Sequence, residues 1–149
     1  MADRIWINYD PNPEPKRITR GRRKGRKIPH GDCVVRAFTI LFNMSWQETY
    51  MKLAQRGIEK FDVFDRQDVY QTFLTKVPLD LKVAIRDPRD PRKTRLKTVK
   101  EVAKLTQDTA DVLLCHTLHH VVVCKEGHYY DSWDSGSEPV RSVWRLKNC

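Results

Sequence analysis

Three residue types, met in one order, suggest a chemistry for this chain. Cys33 heads an apolar stretch, His120 heads another 87 residues later, and Asp131 follows eleven residues after that. A thiol, an imidazole and a carboxylate are what nucleophilic attack by sulfur requires. The imidazole accepts the thiol proton, and the carboxylate fixes the imidazole's tautomer. Cys33 also sits where a helix is expected to begin. Val34, Val35, Ala37, Phe38, Ile40, Leu41 and Phe42 are apolar nearly all round, the pattern of a largely buried helix. Asp32 is its expected N-cap. The unpaired N–H groups and partial positive charge of a helix N-terminus favour thiolate over thiol.

The imidazole and the carboxylate must be brought together by a hairpin. With Glu126-Gly127 as a two-residue turn, Lys125 pairs with His128 and Val122 faces Asp131. His120 shares a face with Val122, so His120 and Asp131 become diagonal neighbours within reach of each other. A three-residue loop would instead put Asp131 opposite Val121 and favour His119.

The remaining elements follow from caps and periodicity. Ser45 and Glu48 form a capping box for a helix from Trp46 to about Arg56, with Gly57 placed to end it. Residues 66–76 carry Val69, Tyr70, Phe73 and Leu74 at helical spacing and predict a third helix. Leu79 to Ile85 alternates as a strand does. Asp87 to Arg95, with Pro88 and Pro91, reads as a loop, and Thr98 caps a short helix to about Leu105. From Asp111 the period becomes two, predicting strands over 111–118, 120–124, 129–133 and 140–146. Helices followed by an antiparallel sheet define an α+β domain, the helical part packed on the C-terminal sheet. Ahead of it, Ile5, Trp6, Ile7 and Tyr9 form a short strand-like run, broken by the prolines of residues 10–15. The expected division is an N-terminal strand with a flexible basic arm over 1–29 and the main domain over 30–149.

Charge is concentrated in that arm. Of the net +9, eight charges come from Lys16, Arg17, Arg20, Arg22, Arg23, Lys24, Arg26 and Lys27, which leaves +1 for everything else. A second basic stretch runs from Arg86 to Lys104, with eight basic and three acidic residues. Such a segment suits non-specific contact with nucleic acid or an acidic partner protein. It lacks the aromatics and the helical or finger pattern of sequence-specific readout. Four cysteines without framework spacing read as free thiols in a reducing compartment. No signal-peptide core and no apolar run of membrane length is present, so a cytoplasmic protein without membrane partners is expected. Cys115, His116, His119, His120 and Cys124 match no common zinc spacing, and alternation scatters them over both sheet faces. No metal and no cofactor is expected.

Taken together, Gly31-Asp32-Cys33-Val34-Val35-Arg36-Ala37, His120-Val121-Val122-Val123 and Tyr130-Asp131-Ser132-Trp133-Asp134 resemble the papain-like cysteine peptidase superfamily. The resemblance runs over residues 30–146 and is strongest to the compact branch of bacteriocin-leader peptidases and small phage-encoded members. It implies a papain-like fold and a cysteine peptidase or related amide hydrolase acting on a protein or peptide, in the host cytoplasm for a phage-encoded member. Cys33 would be nucleophile, His120 general base and then acid, and Asp131 the orienting carboxylate. Trp133 would shield the pair from water. One departure stands out. Such enzymes place Gln or Asn a few residues before the cysteine as an oxyanion donor, and residues 27–32 contain neither. His30 or Lys27 is the expected substitute. The alternative is a catalytically idle scaffold that binds nucleic acid or a host protein through the basic arm.

Overall fold

The period-two segments of the last third build the centre of the molecule. The computed structural model describes residues 5–14, 16–25 and 31–147. Four strands, β5 (Val112–His116), β6 (Val121–Lys125), β7 (His128–Asp131) and β8 (Ser142–Leu146), pair antiparallel in the order β7-β6-β5-β8. Two short strands complete a six-stranded sheet. β1 (Trp6–Asn8) lies parallel to β7 at one edge, and β2 (Leu74–Lys76) lies antiparallel to β8 at the other. Residues 6–8 are therefore part of the same sheet as the hairpin. With four helices against this sheet, the architecture is α+β.

β6 reads Val-Val-Val-Cys without alternation because both sheet faces are covered. Val121 and Val123 join Leu114 beneath α1 (Cys33–Phe42) and α2 (Trp46–Lys60), in a core with Phe38, Leu53, Tyr70 and Leu74. Val122 and Cys124 join Leu113, Cys115 and Val143 on the opposite face. There they meet Val99, Val102 and Ala103 of α4 (Val99–Leu105). Thr98 and Glu101 close a capping box at the start of α4. Among the described residues, no helix is long and apolar enough to cross a membrane.

Several expectations are corrected by tertiary packing. The helix expected over 66–76 is a single turn, α3 (Gln67–Tyr70), followed by a 3₁₀ turn at Gln71–Phe73. Leu74 reaches the core from strand β2, because pairing with Leu146 satisfies backbone groups that a longer helix would have used internally. The segment with Pro88 and Pro91 is the connection of a second small sheet, β3 (Lys82–Ala84) with β4 (Thr94–Leu96). The region before Asp111 is thus not wholly helical.

Gly57 does not end α2. The helix runs on to Lys60 and stops at Phe61, which adopts the left-handed conformation with φ 55°. Gly57 serves instead as a contact point, since a Cβ there would lie 2.7 Å from the Asp62 carbonyl oxygen and 3.3 Å from the Phe64 nitrogen. Alanine would gain up to about 1 kcal/mol in helix propensity. Overpacking against backbone typically costs about 1–3 kcal/mol. Gly57→Ala should therefore lower stability, by about 1 kcal/mol net in urea unfolding; a gain would show that the α2 end is not packed this way.

Candidate functional site

α1 begins at Cys33 itself, so the thiol stands in the first turn, half-buried, against the sheet core. His120 ends a tight reversal between β5 and β6. Both the Thr117 amide (2.9 Å) and its hydroxyl (3.1 Å) donate to the His120 carbonyl and hold the residue just ahead of β6. The β6–β7 turn has the two-residue form. Glu126 and Gly127 both take positive φ, 53° and 80°, and Lys125 pairs with His128. Continuing that register sets Asp131 opposite Val122, diagonal to His120. His120 Nε2 lies 2.5 Å from Asp131 Oδ2. Nδ1 is then the nitrogen not engaged by Asp131, and His120 favours ionisation of the Cys33 thiol while Cys33 favours the imidazolium. His120 and Asp131 are thus in direct contact, and Cys33 is linked to His120 electrostatically.

Asp131 is 1% exposed, and both its oxygens are occupied. Oδ2 also accepts from the Ser135 hydroxyl at 2.6 Å, while Oδ1 accepts from the Ser132 amide at 2.8 Å and Arg36 Nη2 at 3.0 Å. Arg36, one turn along α1 from the cysteine, is itself buried. Its Nη1 donates to Asp32 Oδ1 at 2.6 Å, and Trp46 Nε1 donates to Asp32 Oδ2 at 3.3 Å. Asp32 occupies the N-cap position of α1, as expected, but its side chain makes no cap hydrogen bond. It is the far end of an Asp32–Arg36–Asp131–His120 network.

The N-terminal segment closes the site from the sheet edge. Trp6 Nε1 (3.1 Å) and the Tyr9 amide (2.8 Å) donate to the Asp131 carbonyl. The Tyr9 hydroxyl meets Thr39 Oγ1 at 2.7 Å and ties this segment to α1. On the other side, Tyr129 hydrogen-bonds Asp134, and Gly136 leaves no room for a Cβ against that phenol. This fixes the loop that delivers Ser135. Trp133 is half-exposed, with its ring centroid 5.2 Å from that of His120, and lies over the imidazole. Arg36, Ser135, Trp6 and Tyr9 were not singled out from the sequence. Only the Asp32/Arg36 spacing of four, a helical ion-pair spacing, carried a signal.

The electrostatics follow from these contacts. Burial opposes ionisation of Cys33. The His120 hydrogen bond, a backbone hydrogen bond from Val121 and the charges of His120 and Arg36 outweigh it, so the thiol pKa falls below its ordinary value. Burial likewise opposes the imidazolium. Hydrogen bonds to Asp131 and Cys33 and their charges prevail, raising His120 to about 9. The two shifts act in the direction of a thiolate–imidazolium pair.

The other expected residues fall elsewhere. His30, Lys27 and Arg26 lie outside the described residues, as does Cys149. Lys16, Arg17, Arg20, Arg22, Arg23 and Lys24 are exposed on a small self-closed loop, in which Arg17 donates to the Gly25 carbonyl at 2.8 Å and the Gly25 amide to the Ile18 carbonyl at 2.9 Å. Cys115 and Cys124 meet in the core with their sulfurs 3.6 Å apart, both fully buried. Among the described residues, no three potential ligands converge on a metal position.

Comparison of the chain with protein-family models, with curated proteins and with solved structures finds no match in any of the three.

Three outcomes follow from this geometry. Arg36→Leu leaves Asp32 and Asp131 buried without their shared cation and should lower stability by about 3–5 kcal/mol. Arg36→Lys should recover part of that in chemical denaturation; equal stability of Leu and wild type would remove the network from the account. Second, iodoacetamide should alkylate Cys33 at lower pH than Cys115 and Cys124, and His120→Ala should abolish that advantage. Because the folded-state pKa of His120 is raised, its contribution to stability is complete below its unfolded value of 6.5 and is lost as pH rises through about 9. A pH series of thermal midpoints across that window should show the decline in wild type and not in His120→Ala.

Proposed function

We propose that this protein is a cysteine hydrolase of papain-like architecture, acting on an amide or thioester bond of a protein or peptide. The observation that carries this reading is the His120 imidazole held by a fully buried Asp131, with a half-exposed Cys33 thiol whose ionisation His120 favours. A structural ion pair needs no half-exposed thiol at its end, and a buried structural cysteine needs no imidazole. The layout also suits the reading, since the cysteine comes from a helix packed on a sheet that supplies the histidine and aspartate.

The chemistry runs as follows. The Cys33 thiolate adds to the carbonyl carbon, and the carbonyl oxygen takes the negative charge. As the tetrahedral intermediate collapses, the His120 imidazolium gives its proton to the departing amine, leaving an acyl-thioester on Cys33. Water then attacks the thioester while neutral His120 takes its proton. Collapse of the second intermediate releases the acid and restores the thiolate–imidazolium pair. Throughout, Asp131 holds Nε2 and keeps Nδ1 directed at sulfur. Trp133 limits water over the ring.

A second reading, a binding protein, draws on the exposed cations at 16–24. The two separate cleanly by experiment. A denatured-proteome peptide library incubated with the protein should yield new termini that vanish with Cys33→Ala and persist when residues 16–25 are replaced by a Gly/Ser linker. No cysteine-dependent products, together with salt-sensitive nucleic-acid binding lost with the linker, would favour the binder.

A further inference from the structure

On the α4 side of the sheet the molecule carries an appendage that the Cys33 site does not use. β3 and β4 form a two-stranded ribbon outside the main sheet. At its base the Lys97 amide donates to the Leu81 carbonyl at 2.7 Å, and Arg95 pairs with Glu101 of α4 at 2.5 Å. Its tip is an internal repeat, Arg86-Asp87-Pro88-Arg89-Asp90-Pro91-Arg92, with arginine at every third position.

Both units of the repeat fold the same way. The Asp87 carboxylate accepts from the Arg89 amide at 2.9 Å, and the Asp87 carbonyl from the Asp90 amide at 3.1 Å. Three residues on, the Asp90 carboxylate accepts from the Arg92 amide at 3.0 Å, and the Asp90 carbonyl from the Lys93 amide at 3.2 Å. These are two successive β-turns, each closed by its aspartate and stiffened by a proline that fixes φ. The acids are thereby committed. Both serve backbone N–H groups, and Asp87 also meets Lys93 at 3.7 Å. The guanidiniums are not. Arg86, Arg89 and Arg92 are exposed, and among the described residues none of their guanidiniums makes a hydrogen bond or ion pair. A solvated loop gains nothing from holding three like charges on stiff consecutive turns, where their repulsion is harder to relieve. A regular polyanion gains a surface already shaped for it.

We propose that this repeat is a phosphate-contacting tip for nucleic acid, with Arg86, Arg89 and Arg92 each engaging a backbone phosphate. Guanidinium matches phosphate oxygens bidentately. Each nucleic-acid strand carries a charge about every 3.4 Å of axis, a density to which closely repeated cations are suited. The repeat holds no aromatic and no helix that could enter a groove, so the contact is to the backbone and independent of base sequence. This surface is separate from the cations at 16–24, and it stands whether or not Cys33 is a nucleophile.

Fluorescence anisotropy of a labelled mixed-sequence DNA duplex, titrated with the full chain from about 50 to about 200 mM salt, reads the contact. Each phosphate neutralised contributes about 0.9 to the slope of log K against log salt. The triple variant Arg86→Gln, Arg89→Gln, Arg92→Gln should therefore lose about 2.7 from that slope, leaving wild type about 40-fold more salt-sensitive over the range. Its thermal midpoint should stay at the wild-type value, because the three guanidiniums make no internal contact. Pro88→Gly with Pro91→Gly keeps every charge but frees the turns, and should weaken binding several-fold at unchanged slope. An unaltered slope in the triple variant, or no wild-type binding at the lowest salt, would overturn the proposal. So would full affinity in the proline variant, since charge without the shape of the repeat would then suffice. Displacement by poly-L-glutamate of matched charge as readily as by unlabelled duplex would overturn it in favour of an acidic protein.

Discussion

A guanidinium buried between two carboxylates is the constraint around which the rest of this molecule is arranged. Arg36 comes from the second turn of α1, Asp32 from the residue before α1, and Asp131 from the end of β7. A charge removed from water is tolerable only when every donor and acceptor near it is matched. The fold meets that demand from four directions. α1 supplies the cation, Trp46 of α2 supplies a donor to Asp32, and the 132–135 loop supplies an amide and a hydroxyl to Asp131. His120 occupies the remaining position. Moving any of these elements would strand a buried charge, so the network fixes α1 against the end of the sheet.

A gradient of exposure runs outward from this network. Asp131 is 1% exposed, the His120 side chain 14%, and Cys33 is half-open to solvent. The carboxylate is shut away from water, the imidazole nearly so, and the sulfur partly open to solvent. Arg36 has a double effect. It neutralises part of Asp131 and also lends positive field to the thiol one turn away. A histidine between a thiolate and a carboxylate is stabilised as its cation by both neighbours. The same arrangement that holds the fold together therefore sets the protonation states.

The N-terminal segment changes how the chain divides. β1 pairs with β7, and Trp6 and Tyr9 both hydrogen-bond the Asp131 carbonyl. The first described residues thus brace the hairpin that carries the acid, while the basic stretch after them forms a loop of exposed cations. In sequence the two are adjacent and seem one appendage. In space one belongs to the site and the other faces solvent.

Much of this was legible in the residues alone, where the physics is local. The start of α1, the Ser45 and Thr98 caps and the strands of the last third follow from periodicity and capping. The Glu126-Gly127 turn follows from steric rules at positive φ, and it alone sets which histidine meets Asp131. Non-local competition decided the rest. Residues 66–76 have helical spacing, yet pairing with β8 draws Leu74–Lys76 into a strand. Gly57 resembles a helix stop, yet it lies inside α2 where a neighbouring carbonyl leaves no room for a side chain. Asp32 has the composition of an N-cap, yet a buried arginine is a stronger claimant for its oxygens than a backbone N–H that water can reach. The sequence by itself determined the order of Cys33, His120 and Asp131 and the turn that pairs the last two. Only the tertiary structure decided what holds Asp131 in place, because Arg36 and Trp6 are 95 and 125 residues from it along the chain and no local pattern can register contacts at such separations.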